Sequence, residues 1–455
     1  MSKPSTPTPA ERNRSGIIIA GTGSSSGKTA VTCMLLAALR ARGVAVQPFK
    51  VGPDFIDPAY HARYAGAPSR NLDTWLMGRD AVLREIAAHA HGKIAVVEGV
   101  LGLFDGGCAT SDDGSAMELA RMLDWPVVLV VPAAKAGRSL AATLRGFIAE
   151  AGENRICGVV LNGVSGSSHA EFLREAIAPL RVPVLGVVPP REELRWPERH
   201  LGLTAATETP LPADAVLARL GEESLDVENV LRALPGKTLP PHLAPGEQRQ
   251  LNRRIALARD EAFHFYYESN LDFLRASGCE VVAFSPLHDS AIPSDADALI
   301  LGGGFPESFA ARLSENSAMR ASIRSALASG LPCYAECGGL MLLADELATL
   351  DGKHFPMAGV LPGTVEMTPR LSHFGYCEAE KNGRVFRGHE FHHSRWTGEN
   401  DHANLWNVTK RRSRQTRREG FGRANLHASY VHLFWQNAAP LFAELLGQNQ
   451  ERAAA

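Results

Sequence analysis

The chain has 455 residues, 45% hydrophobic and 21% charged, with a formal net charge of −2. That length allows two or three domains with separate cores, and the near-neutral balance points away from nucleic acid and acidic membrane surfaces. Seven cysteines without framework spacing predict free thiols in a reducing compartment; as no apolar run could span a bilayer, the expected setting is the cytoplasm.

Residues 1–15 are polar and rich in Pro, Ser and Thr, and read as a disordered N-terminus. Gly16-Ile17-Ile18-Ile19-Ala20 has the apolar run of a buried parallel strand. Gly21-Thr22-Gly23-Ser24-Ser25-Ser26-Gly27-Lys28-Thr29 follows, then an amphipathic helix to about Arg42. Strand, glycine-rich loop, Gly-Lys-Thr and helix make the P-loop arrangement. Backbone amides of Gly23, Ser24, Ser25, Ser26 and Gly27 are expected to wrap the phosphates of ATP. Lys28 would meet the β/γ oxygens, and the Thr29 hydroxyl would reach magnesium. One position departs from the usual pattern: Thr22 stands where a glycine is expected, flanked by Gly21 and Gly23.

A strand over Val44–Phe49 leads into Lys50-Val51-Gly52-Pro53-Asp54-Phe55-Ile56-Asp57-Pro58. Another, Ile94–Val97, leads into Glu98-Gly99-Val100-Leu101-Gly102-Leu103-Phe104-Asp105-Gly106. Carboxylates at the C-terminal ends of parallel strands lie in the crevice where such sheets bind ligands. Magnesium takes one or two carboxylates plus phosphate oxygens, so Asp54 and Glu98 are the metal candidates; a strand-end cap or a structural ion pair is the competing reading of each. Strands at Val127–Val131, Gly158–Leu161 and Val184–Val188, with helices near 140–151 and 169–180, continue a parallel sheet covered on both faces. Asn162 follows one of these strands and suits either a base contact or a turn.

The P-loop domain is thus expected over 16–234, a Pro/Gly-punctuated linker over 235–250, and a second α/β domain over 251–447. Strands are predicted at Arg254–Arg259, Glu280–Phe284 and Ala298–Leu301, with a helix over Glu268–Ser277. The third strand ends in Gly302-Gly303-Gly304-Phe305-Pro306-Glu307. Amides of Gly303 and Gly304 are candidates for half of an oxyanion hole, that of Gly338 for the other half; a flexible turn is the alternative. Pro332-Cys333-Tyr334-Ala335-Glu336-Cys337-Gly338-Gly339-Leu340-Met341-Leu342 reads as strand, sharp turn and helix start. A thiol there, at a helix N-terminus, favours its nucleophilic thiolate, although a buried structural cysteine fits the same residues. Such a nucleophile needs a base, for which His427-Ala428-Ser429-Tyr430-Val431-His432 offers His432, with His427 as rival. Gly388-His389-Glu390-Phe391-His392-His393 is histidine-rich but lacks a metal-ligand spacing.

Together these segments resemble the cobyrinic acid a,c-diamide synthases, including the hydrogenobyrinic form, from Gly16 to Phe434. The likeness rests on residues 21–29, 50–58 and 97–106 quoted above, and on Glu-Arg-His-Leu-Gly-Leu at 198–203 and Ala-Arg-Asp-Glu-Ala-Phe at 258–263. It also rests on Leu-Gly-Gly-Gly-Phe-Pro-Glu at 301–307, Glu-Cys-Gly-Gly-Leu at 336–340, Arg-Gly-His-Glu-Phe-His at 387–392 and Ala-Ser-Tyr-Val-His at 428–432.

The resemblance implies a P-loop NTPase-like domain similar to dethiobiotin synthetase, whose loop also lacks the glycine at 22. A flavodoxin-like class I glutamine amidotransferase domain would follow. It implies Cys337 as glutaminase nucleophile, His432 as the residue that activates it, and Lys28, Thr29, Asp54 and Glu98 at the ATP and magnesium positions. Phe55 and Ile56 would contact a corrinoid tetrapyrrole, whose a and c acetates are amidated with L-glutamine as nitrogen donor; a homodimer is left open. Two residues depart from the family: Pro132 stands where many relatives have aspartate, and Phe434 where most class I glutaminases place a glutamate. The orienting partner of His432 is therefore unidentified in the sequence. The same chemistry on nickel-sirohydrochlorin is the alternative, and an ATP-switch protein is the non-enzymatic one.

Overall fold

Seven strands rich in buried Ile and Val form a fully parallel sheet in the first half of the chain, the composition expected where both faces are covered. They are β1 (Gly16–Gly21), β2 (Val46–Val51), β3 (Arg70–Leu72), β4 (Ile94–Glu98), β5 (Val127–Pro132), β6 (Ile156–Asn162) and β7 (Val184–Val188). Their order is β3-β2-β4-β1-β5-β6-β7, so the chain leaves β1 toward one edge and later crosses to the other. The loops after β1, β2 and β4 therefore emerge side by side, at the strand ends where such a reversal opens a crevice. Helix α1 (Lys28–Ala41) starts directly from the loop after β1, and α2 (Asp57–Ala65) from the loop after β2. Pro132 ends β5 at an exposed position opposite Asn162, where a proline costs no ladder bond.

The computed structural model describes residues 16–196, 198–199, 202–203, 211–236, 250–398 and 403–447. Segment 1–15, most of the 235–250 linker and parts of the 198–203 motif lie outside the described residues. Two units are distinguished, Met1–Ala244 and Pro245–Ala455.

The second unit has a six-stranded sheet in the order Glu280–Phe284, Arg254–Ala258, Ala298–Leu301, Cys333–Glu336, Leu426–Ser429, Phe421–Arg423. It is parallel except at the last pair. Each half is thus α/β around a parallel sheet, as the strand-helix alternation implied. Between residues 344 and 433 the chain adds two further sheets of four and five strands, mostly antiparallel. One of these sheets pairs Gly388 with Leu433 and His389 with His432. Among the described residues, no helix is long and apolar enough to cross a membrane.

In the first unit, helix Asp214–Ser224 crosses the buried α1 at Gly221, where an added Cβ would stand 2.5 Å from the Met34 carbonyl oxygen. Backbone cannot retreat as a flexible side chain can. Gly221→Ala should therefore cost about 1–3 kcal/mol, read as a lower urea midpoint of the first unit at unchanged slope.

Candidate functional site

In the first unit the phosphate loop is built as its glycines require. Its left-handed positions are Ser25 (φ 54°) and Gly27 (φ 88°); Thr22 is not one of them, which is why a threonine is tolerated there. Asn162 Nδ2 donates to the Ser26 carbonyl at 3.0 Å and would clash with any Cβ at Gly27, so Asn162 braces the loop. The Ser26 hydroxyl is buried with no partner among the described residues, an orphan acceptor and donor in the floor of an anion cradle. Lys28 Nζ donates to the Gly23 carbonyl at 3.1 Å. Burial, and then the neighbouring Lys50, lower the Lys28 pKa.

Lys50, which the sequence reading did not single out, proves central to this unit. It stands one residue before the end of β2, opposite Glu98 at the end of β4, and its buried ammonium donates to Asp57 Oδ2 at 2.5 Å, Glu98 Oε1 at 2.7 Å and Gly99 O at 3.2 Å. Asp54 Oδ2 lies 3.7 Å away. Burial alone would neutralise such a lysine; Asp57, Glu98 and Asp54 outweigh it and raise its pKa. Burial likewise opposes the Glu98 charge, but Lys50 and His61, the latter 2.6 Å from Glu98 Oε2, hold this carboxylate below its ordinary range. Asp57, partly buried and facing Asp54, is pushed up by its loss of solvent and by that neighbouring carboxylate. The signal for Lys50 in the sequence was a lysine directly after the strand expected to end at Phe49, followed closely by Asp54 and Asp57.

The Thr29 hydroxyl donates to Glu98 Oε1 at 2.9 Å, so two of the expected metal positions meet. Asp54 has divided duties, since its Oδ1 accepts from the Ile56 and Asp57 amides at 2.8 and 3.1 Å. Among the described residues no group of three or more His, Cys, Asp or Glu side chains could hold a metal. Thr29 with one or two carboxylates offers an all-oxygen donor set, to be completed by phosphate and water, and that fits magnesium. Phe55 and Ile56 are half-buried on the loop after β2. The adjacent loop after β4 presents Leu101, 42% exposed and held at φ 52°.

In the second unit Cys337 follows its strand at φ 49°, ψ −102°, a conformation a non-glycine residue adopts only under constraint. Its amide donates to the Ser429 carbonyl at 2.7 Å. Close packing leaves no room for side chains beside it: a Cβ on Gly339 would lie 2.1 Å from the Leu301 oxygen, and one on Gly338 3.1 Å from the Gly304 nitrogen. The oxyanion candidates Gly304 and Gly338 are thereby brought together, while a Cβ on Gly303 would lie 2.8 Å from His432 Cε1. The glycine run is less free than expected, however. Gly302 N donates to Tyr266 Oη, and Gly303–Gly304 pairs with Phe263–Phe265. The helix after Cys337 spans Gly338–Leu343, and a histidine faces the thiol from the other side.

That histidine is His432. Burial alone would lower its pKa; the facing Cys337, hydrogen bonds to Cys337 and Glu336, and the Glu336 charge outweigh it and push it up to about 10. Glu336 Oε1 lies 2.9 Å from His432 Nδ1. The rival His427 stacks on Tyr334 at 4.7 Å and abuts Trp406. Its ring nitrogens have no partners among the described residues, and burial drives its pKa down to about 3. The histidine-rich motif is used in support. His389 stacks on His432 at 4.8 Å, Glu390 pairs with Arg417, and His392 stacks on Tyr430 at 3.9 Å. The segment carrying His432 is thus gripped from one side. Periodicity could not reveal this, because the contacts cross between separate strands.

Residues 17–203 match the CobQ/CobB/MinD/ParA nucleotide binding domain, and residues 254–440 the CobB/CobQ-like glutamine amidotransferase domain. Three relatives bear the name cobyrinate a,c-diamide synthase. The one from Synechococcus sp. is 39% identical over 96% of this chain and 99% of its own. That from Listeria monocytogenes is 42% identical over 93% and 97%, and that from Syntrophotalea carbinolica 41% over 91% and 94%.

The Lys50 cluster has a measurable consequence. A folded-state Glu98 pKa below its ordinary value adds stability above about pH 4.3, lost as pH falls toward the folded value. Lys50→Met removes the main counter-charge and should cost about 3–5 kcal/mol at pH 7. Burial would then push Glu98 up, so urea stability of the first unit should rise from pH 7 to pH 5. A variant that instead weakens on acidification contradicts the pairing.

Proposed function

The chain belongs to the cobyrinate a,c-diamide synthase family, and on that footing we propose that it amidates the a and c acetates of cobyrinic or hydrogenobyrinic acid, using ATP and glutamine. The observation that carries the proposal is the presence in one chain of a thiol hydrogen-bonded to a histidine and a phosphate loop whose Thr29 reaches Glu98. A partner-positioning ATPase would have no use for Cys337 and His432. Free thiols throughout suit a cytoplasmic setting.

In the second unit Cys337 attacks the glutamine carboxamide while the amides near Gly304 and Gly338 receive the oxyanion. His432 returns a proton to the leaving nitrogen; ammonia departs, and water then releases glutamate from the thioester. In the first unit an acetate carboxylate attacks the γ-phosphorus of ATP, giving an acyl phosphate and ADP. Ammonia displaces phosphate from that intermediate, and the cycle runs once for each acetate. The loop amides and Lys28 hold the transferring phosphoryl group, and Lys50, compensated by Asp57, Glu98 and Asp54, fixes the carboxylates beside it. Thr29, Asp54 and Glu98 would hold magnesium, which when bound neutralises phosphate charge. Phe55, Ile56 and Leu101 offer an apolar wall for the macrocycle.

Cys337→Ala should abolish glutamine-dependent amidation while ammonium salts still drive it, and Thr29→Ala should lower both by about 10²-fold or more. The check is mass spectrometry of products from cobyrinic acid, hydrogenobyrinic acid and nickel-sirohydrochlorin. Two amides on a corrinoid are expected; turnover of the nickel macrocycle alone would move the assignment to that substrate.

A further inference from the structure

Glu336, one residue before the nucleophile, ends the Cys333–Glu336 strand and is buried. Successive strand residues normally point to opposite faces. The turn at Cys337 breaks that alternation, so that Glu336 and Cys337 both reach the same imidazole. The Glu336 carboxylate is itself fixed, because Oε2 accepts from Tyr334 Oη at 2.5 Å and from Trp435 Nε1 at 2.9 Å. Oε1 is thereby aimed at His432 Nδ1. Two positions after His432, where the usual glutaminase glutamate would stand, Phe434 is buried.

We propose that Glu336 is the positioning residue of the glutaminase, holding the proton on His432 Nδ1 so that Nε2 exchanges its proton with Cys337 Sγ and the departing ammonia. This rests on the glutaminase reading above. A carboxylate at Nδ1 can only accept, so it fixes the tautomer, whereas an amide there could donate and reverse it. The titratable groups facing His432 are Cys337, Glu336 and His389, with Tyr266, Tyr267 and Tyr334 behind them. Burial, aided by nearby Glu336, raises the Tyr266 and Tyr334 phenols. Burial, then His432, drives the His389 pKa well down. His389 is therefore a neutral plate against the imidazole face, and Glu336 is the acidic partner at Nδ1.

The test uses full-length Glu336→Gln, with ammonium-driven amidation as a control on the first unit. Glutaminase kcat should fall about 10²- to 10⁴-fold with KM within threefold. The alkaline limb of its pH profile should move to lower pH, because His432 loses the anion that helps keep it protonated. A kcat within threefold of wild type and an unmoved alkaline limb overturn the proposal. Cys337→Ser is the control on its premise: if that variant kept its glutaminase, the glutaminase reading itself would fall. Should Glu336→Gln fail to fold, Trp435→Phe and Tyr334→Phe each remove one donor to Oε2. Both leave the anion in place but free it to turn, so both should lower kcat several-fold with KM within threefold, and wild-type kcat in both overturns the proposal.

Discussion

Cys337 occupies a backbone conformation that a side chain resists, at φ 49° and ψ −102°. Such a residue costs of order 1–3 kcal/mol to hold, and its surroundings supply the constraint. Its amide is tied to the Ser429 carbonyl, while Gly338 and Gly339 let the next turn press against Gly304 and the Leu301 carbonyl. The same bend directs Glu336 and Cys337 to one imidazole. Strain in the backbone thus brings a thiol, an imidazole and a carboxylate into line.

The first unit solves a different electrostatic problem. A site that handles triphosphate needs fixed positive charge, yet a buried ammonium is costly unless it is compensated. Lys50 meets that condition with Asp57, Glu98 and Asp54 around one nitrogen, and His61 balances the far side of Glu98. Thr29 and Lys28 stand on the first turn of α1 beside this cluster. A nucleotide's phosphates would therefore meet charges that are already paired, rather than ones that must be arranged on binding.

Much of this was legible in the chain. The phosphate loop is contiguous, so its residues carry their own geometry, and the apolar run before it is the strand expected; the next strand, expected over Val44–Phe49, lies two residues later at Val46–Val51, and the short Arg70–Leu72 strand was not foreseen. The resemblance favoured His432 over His427, and the structure gives the physical reason, since His427 is enclosed by Tyr334 and Trp406. What could not be read were contacts between distant elements. Glu336 and His432 are 96 positions apart, and Lys50 and Glu98 are 48 apart. Nor did local spacing give a use for His389, Glu390 and His392, because they act by stacking and pairing across strands. The start of the helix after Cys337 was visible in the sequence; its six-residue length was not.

The central claim is that nitrogen freed at Cys337 becomes the amide of a corrinoid activated by ATP in the other unit. The direct test supplies cobyrinic acid, magnesium ATP and glutamine labelled with ¹⁵N at its amide, in buffer containing unlabelled ammonium at low concentration. The account predicts a diamide in which both new amides carry ¹⁵N. A diamide carrying unlabelled nitrogen, or glutamine hydrolysis with no corrinoid amide formed, would contradict it.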